Sequence, residues 1–146
     1  THVIRTLFPS PGRGRVVHVS AIASHMTVPH MSAYITGKTA QVRIAAVAAL
    51  EVKARGVAIF AIDPGFVITS LARETMNSPE AMRYLPDMVG RLKEMAQLDG
   101  SEGLQACGQR VVDLFSGRYD ALSGGYFEMN QSLDEALRQQ AQTPAG

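Results

Sequence analysis

Tyr34 and Lys38 stand four residues apart in the run Tyr34-Ile35-Thr36-Gly37-Lys38. On a helix that spacing stacks the two side chains one turn apart on the same face. An ammonium held beside a phenol favours the phenolate, so the pair is a candidate general acid/base. Ser20 ends the short β-branched run Arg15-Val16-Val17-His18-Val19 upstream, and Asp63-Pro64-Gly65 follows the apolar run Val57-Ala58-Ile59-Phe60-Ala61-Ile62 downstream. The other chemistry-bearing residues give less. His18, His25 and His30 lack carboxylate or cysteine partners at ligand spacing, so no metal site is expected. Cys107, the single cysteine, lies in a predicted helix with no base near it in sequence and reads as structural.

The elements that must position these groups can be read from pattern. A long helix is expected over residues 32–55. Val42, Ala45, Ala46, Ala49 and Leu50 form one apolar stripe, and Ile44, Val47 and Ala48 carry it further round. A helix apolar on more than one side must be covered on more than one side. A sheet is one cover, and a neighbouring helix, from this chain or from a second subunit in a homo-oligomer, is the other. Gly56 is placed to end the helix. The β-branched run Arg15–Ser20 and the apolar run Val57–Ile62 read as buried strands. Strand, helix and strand make a βαβ unit with parallel strands. Ligands of such sheets bind outside the carboxyl ends of the strands. Ser20, Asp63-Pro64-Gly65 and the first turns of the helix are therefore expected to converge on one rim.

The remaining chain is less regular. Thr1 to Phe8 has roughly helical apolar spacing, and Pro9 to Gly14 is a turn-rich linker. Residues 66–99 hold four of the seven methionines and are broken by Pro79 and Pro86; short helices and a mobile segment are expected. A helix is expected over Gly100–Phe115, a last strand over Leu122–Met129 and a weak helix over Leu133–Gln140, with Thr143–Gly146 frayed. Residues 1–130 form one domain in this reading, and 131–146 a weak helix and tail.

Composition excludes several classes. Net charge is +1 with basic residues scattered among acids, which gives no footprint for nucleic acid. No apolar run is long enough to span a membrane. One cysteine allows no internal disulfide and no leader is visible, so a reducing, cytoplasmic setting is expected.

Gly14-Arg15-Val16-Val17-His18-Val19-Ser20, then Tyr34-x-x-x-Lys38, then Asp63-Pro64-Gly65-Phe66-Val67-Ile68-Thr69, resembles the short-chain dehydrogenase/reductase family. Gly117 to Tyr126 also resembles the segment leading into that family's last strand. The resemblance runs from about Thr1 to Asp134. It implies an α/β fold that is part of a doubly wound, Rossmann-type parallel sheet. It also implies an oxidoreductase moving a hydride between NAD or NADP and a small carbonyl or alcohol. Tyr34 is then the proton donor or acceptor, and Lys38 binds the nicotinamide ribose. Pro64, Gly65, Val67 and Thr69 line the nicotinamide end, and residues 66–99 form the variable substrate-binding segment.

Two departures from the family pattern stand out. The family's catalytic serine falls thirteen residues before its tyrosine, where this chain has Ala21; Ser20 is one residue early. No Gly-rich turn follows a strand and opens a helix, so the first mononucleotide-binding half is absent and the chain reads as a carboxyl-terminal portion. The alternative is a non-catalytic binding or dimerisation module that keeps the long helix as an interface.

Overall fold

A computed structural model of the chain describes Thr6, residues 12–98 and residues 100–142. Apart from Thr6, the expected helical tail at Thr1–Phe8 lies outside the described residues, as do the first half of the Pro9–Gly14 linker and the frayed Thr143–Gly146. β1 (Gly14–Val19), β2 (Val57–Ile62) and β3 (Tyr126–Phe127) form a parallel sheet in the order β1-β2-β3. β1 and β2 pair in register from Gly14 with Val57 to Val19 with Ile62, and β3 pairs through Ala61 with Tyr126 and Ile62 with Phe127.

The crossover between β1 and β2 is α1 (Ser32–Val52), tightened into a 3₁₀ turn over Lys53–Arg55. Gly56 then takes a left-handed conformation, φ 71°, and stops the helix as its position in the sequence suggests. A Cβ at Gly56 would come within 2.8 Å of the Gly12 carbonyl oxygen, so glycine is required there on two counts. Ala45, Ala48, Ala49 and Val52 of α1 pack against Val57, Ile59 and Ala61 of β2. Small residues on the helix let its axis lie close to the sheet.

The opposite face of β2, with Ala58, Phe60 and Ile62, is covered by α5 (Ser101–Phe115) through Leu114 and by α6 (Leu133–Gln142) through Leu133. Tyr119, Leu122 and Phe127 complete that layer. Alternating β2 side chains thus feed two separate core clusters, as the pleat of a central strand dictates. β2 is buried along its whole length, whereas residues 15–18 of β1 are only half-buried. Both runs read as buried strands in sequence. They differ because β1 is an edge of the sheet among the described residues.

The last strand is shorter than the expected Leu122–Met129. Asp120–Leu122 is a 3₁₀ turn and only Tyr126–Phe127 is strand. The chain nevertheless runs beside β2 earlier than that. The Ile59 N–H donates to Ser123 Oγ at 2.9 Å, and the Gly124 N–H donates to the Ile59 carbonyl at 2.7 Å. A side-chain oxygen and a left-handed glycine (Gly124, φ 93°) replace regular ladder bonds there. Residues 66–98 hold three short helices, α2 (Ser70–Asn77), α3 (Pro79–Tyr84) and α4 (Pro86–Met95).

Candidate active site at the carboxyl rim

The loops leaving β1 and β2 are stitched together at the rim. The Ser20 N–H donates to the Ile62 carbonyl at 2.8 Å, carrying the ladder one residue beyond β1. Asp63 Oδ1 accepts from the Ile22 N–H at 3.2 Å, and the Asp63 N–H donates to the Phe127 carbonyl at 3.0 Å. Asp63 therefore joins the carboxyl ends of all three strands. From sequence it reads only as a turn-former, because its partners lie far away along the chain.

The first loop is also bound to α1. Ser20 Oγ donates to the Lys38 carbonyl at 2.9 Å, and Thr39 Oγ1 donates to the Ser24 carbonyl at 2.9 Å. These two bonds fix the second turn of the helix against the 3₁₀ turn at Ile22–His25. Ser20 is only 2% exposed, so its hydroxyl is spent on the helix backbone rather than offered to the cleft. Ala21, at the spacing the family serine occupies, brings no hydroxyl.

Tyr34 lies in the first turn of α1 and is 39% exposed. The Lys38 ammonium sits 5.9 Å from the centre of the Tyr34 ring, on the same helix face. Among the described residues neither the phenol nor the ammonium has a hydrogen-bond partner. Both are free to meet a ligand. Pro64, Gly65 and Val67 are half-buried just past β2. Gly65 adopts φ 73°, which turns the chain away from the strand, and a Cβ there would stand 3.1 Å from Met129 Cγ. Thr69 is exposed and caps α2, its Oγ1 accepting from the Ala72 N–H at 3.3 Å. Pro64 to Val67 thus adjoin the rim, and Thr69 marks where the chain leaves it for the next helices.

The sequence gives no sign of a further cluster under the rim. Tyr126 is half-buried at the start of β3, and its ring stacks on His25 with centroids 4.5 Å apart. Ser24 Oγ and His25 Nδ1 are 2.8 Å apart. The Tyr126 hydroxyl is buried without a hydrogen-bond partner among the described residues. Burial pushes this phenol up to about 12, and the nearby Asp63 and Glu128 carboxylates add to the effect. Ser24 lies close enough to oppose part of that shift. Ser24, His25, Asp63, Tyr126 and Glu128 are scattered over about a hundred residues, and no local spacing reveals them.

The model of the short chain dehydrogenase family matches residues 1–80. The chain belongs to the short-chain dehydrogenase family. A short chain dehydrogenase, mpl6, of Monascus purpureus is 31% identical over 94% of this chain and 41% of its own length. Carbonyl reductase [NADPH] 2 of Sus scrofa is 28% identical over 58% of the chain and 35% of its own length. The chain thus spans less than half the length of these short-chain dehydrogenase relatives. Solved structures agree on the fold. An enoyl-[acyl-carrier-protein] reductase (NADH) from Aquifex aeolicus VF5 superposes with a TM-score of 0.61 at 20% identity, over 90% of this chain and 49% of that one. A 4-hydroxyisoleucine dehydrogenase complexed with NADH gives a TM-score of 0.59 at 17% identity, over 87% and 49%. The chain carries a part of the doubly wound parallel sheet of this family, with helices on both faces.

Among the described residues no helix is long and apolar enough to cross a membrane, and no group of three or more His, Cys, Asp or Glu could hold a metal ion.

Proposed function

We propose that this chain forms the reaction end of an NAD(P)-dependent dehydrogenase or reductase acting on a small carbonyl or alcohol. The supporting observation is the Tyr34–Lys38 pair, unpartnered among the described residues and within reach of solvent in the first two turns of α1, with the Pro64-Gly65 turn following the carboxyl end of β2. A phenol and an ammonium, one donor-acceptor and one pure donor, suit a sugar hydroxyl and a substrate oxygen. The residues present therefore fit the nicotinamide-ribose end of the cofactor. They include no Gly-rich helix opening for its pyrophosphate.

In the reductive direction the Tyr34 hydroxyl gives its proton to the substrate oxygen, and in the oxidative direction it takes that proton back. The cofactor, when bound, supplies or accepts the hydride. Lys38 holds the ribose and keeps a positive charge beside the phenol. Pro64, Gly65 and Val67 shape the wall at the nicotinamide end, with Thr69 Oγ1 able to donate beyond its capping bond. Ser20 acts through the helix, because its bond to the Lys38 carbonyl sets the position of the turn that carries both reactive groups.

The test is made on the full-length protein. Tyr34→Phe is expected to lower turnover by about 10²–10⁴, the usual worth of a positioned acid/base. Affinity for NADH or NADPH, followed by nucleotide fluorescence, is expected to stay nearly unchanged. Turnover retained by Tyr34→Phe would remove this residue from the chemistry.

A second reading, association through α1, is favoured by one observation. Ile44, Val47 and Leu50 are all exposed along one side of the helix, Leu50 to 76%. A stripe of this kind suits pairing with a second copy of the chain. Leu50→Glu is then expected to shift the protein from dimer to monomer in light scattering. An unaltered mass would set the α1 interface aside.

A further inference from the structure

The turn that leaves β2 has little of its own to hold it. Gly65 stands at φ 73°, and among the described residues no backbone hydrogen bond ties residues 64–68. A glycine tolerates many conformations, so the wall formed by Pro64 to Val67 must be fixed from outside. The turn after β3 lies against it. A Cβ on Gly65 would stand 3.1 Å from Met129 Cγ and 3.8 Å from Met129 Cβ, so the Met129 side chain covers the open side of the glycine.

The turn over residues 128–131 is itself held firmly. The Gln131 N–H donates to the Glu128 carbonyl at 3.1 Å, and the Glu128 N–H donates to Gln131 Oε1 at 2.9 Å. A further tie comes from α5. Arg110 Nη2 donates to the Met129 carbonyl at 3.1 Å and to the Gln131 carbonyl at 2.6 Å. Burial pushes the Arg110 guanidinium below its ordinary value, so hydration is given up to place it here. A charged donor makes the stronger kind of hydrogen bond in return. Gly103 lies two turns earlier on the same face of α5. A Cβ there would stand 3.8 Å from the Phe66 carbonyl oxygen. One helix thus reaches the wall directly at Gly103, and through Met129 at Arg110.

We propose that Arg110 is a positioning residue for the nicotinamide end of the cofactor. It holds the turn after β3, and Met129 carries that hold to Gly65. The Pro64-Gly65 wall then keeps one place against the nicotinamide ring. Fixing from a distance matters here, because a small misplacement at a reacting centre is costly in rate. The bearing on the cofactor rests on the reading of the site above, whereas the hold on Gly65 does not.

Backbone order parameters from nuclear spin relaxation test the hold on the full-length protein, without cofactor. Arg110→Met removes the donors and keeps an apolar stem. Met129→Ala removes the side chain over Gly65 and leaves the carbonyls that Arg110 binds. In each variant the order parameters of residues 65–68 are expected to fall from about 0.85 to below about 0.6, with those of β2 unchanged. The double variant is expected to match the larger single effect, since the two residues act in series. Affinity for NADH or NADPH, followed by nucleotide fluorescence, is expected to weaken about fivefold or more in each variant. Affinity for ADP-ribose or 2′-phospho-ADP-ribose, which lack the nicotinamide, is expected to stay unchanged in calorimetry. Unchanged order at residues 65–68, an equal fall in β2 or additive effects of the two substitutions would overturn the hold on Gly65. Equal losses for the cofactor and for its ADP-ribose, or no loss for either, would overturn the bearing on the nicotinamide end. A parent protein that binds neither NADH nor NADPH would overturn the reading of the site, and the order parameters would still decide the hold.

Discussion

The rim around Tyr34 and the face carrying α5 and α6 satisfy their polar groups very differently. On the α5–α6 side, Arg15 makes a two-point ion pair with Asp120, with Nε and Nη2 each 2.7 Å from a carboxylate oxygen. Tyr119 donates to Asp134 Oδ1 at 2.8 Å, and Arg118 meets the same carboxylate at 2.8 Å. Arg110 Nη2 donates to the Met129 and Gln131 carbonyls, although its Nη1 has no partner among the described residues. At the rim, Tyr34 and Lys38 are unpartnered, Tyr126 keeps a buried hydroxyl unused, and His30 sits in a disfavoured backbone conformation. Local choices agree with the fold on one side and conflict with it on the other. Such conflict concentrates where a protein uses its groups on something other than itself.

Core truncations give the largest separation between the two regions. Leu114, on α5, is fully buried among Phe60, Leu122 and their neighbours. Leu114→Ala is expected to cost about 2–5 kcal/mol, from lost burial plus the cavity left behind. The same cut at exposed Leu71, in α2 beyond the rim, is expected to fall within about 0.5 kcal/mol of zero. Urea midpoints at constant slope measure both. Equal costs would mean that α2 is bound into the core as firmly as α5.

The ion pair comes next. The Arg15 side chain is mostly buried and the Asp120 side chain is well exposed, so solvent weakens their attraction. Hydrogen bonding to Asp120 raises the Arg15 guanidinium above its ordinary value, against a smaller opposing effect of burial. Asp120→Ala is expected to cost about 1–2 kcal/mol, chiefly by leaving the guanidinium unmatched. Part of that cost should vanish in high salt. A loss below about 0.3 kcal/mol would place this pair with ordinary surface pairs.

These contrasts also explain which parts of the architecture could be read in advance. α1, β2, Gly56 and the convergence of Tyr34, Lys38 and Asp63 on one rim follow from periodicity and topology, which are local or nearly so. The extent of β3 does not follow, because Ser123 and Gly124 take over ladder positions that only β2 can define. The half-exposed state of β1 depends on its place at the sheet edge, not on its valines. The engagement of Ser20 with the Lys38 carbonyl depends on how closely the small-residue face of α1 approaches the sheet. Asp63 reaching Ile22, and Tyr126 meeting His25, are contacts between distant segments. A single sequence carries no spacing rule for either.

The two buried phenols give the smallest effect and the sharpest one, because the expected signs differ. Tyr119→Phe removes a made hydrogen bond to Asp134 and is expected to cost about 1 kcal/mol at neutral pH. Tyr126→Phe removes a buried hydroxyl that bonds to nothing among the described residues, and is expected to add up to about 1 kcal/mol. The pH dependence separates them further. Burial holds the Tyr126 phenol at about 12, above its ordinary value of about 10, so the folded state favours the neutral form. Its contribution is complete below about pH 10. It is lost as pH rises toward 12, because the unfolded chain gives up the proton first. Tyr119 moves in the same direction, through its bond to Asp134 and then through burial. Stability measured in urea should therefore decline from about pH 10 upward in the parent chain, and less steeply in Tyr126→Phe. A Tyr126→Phe variant less stable than the parent at pH 7 would show that the hydroxyl has a partner after all, and the rim would then be as well satisfied as the face opposite.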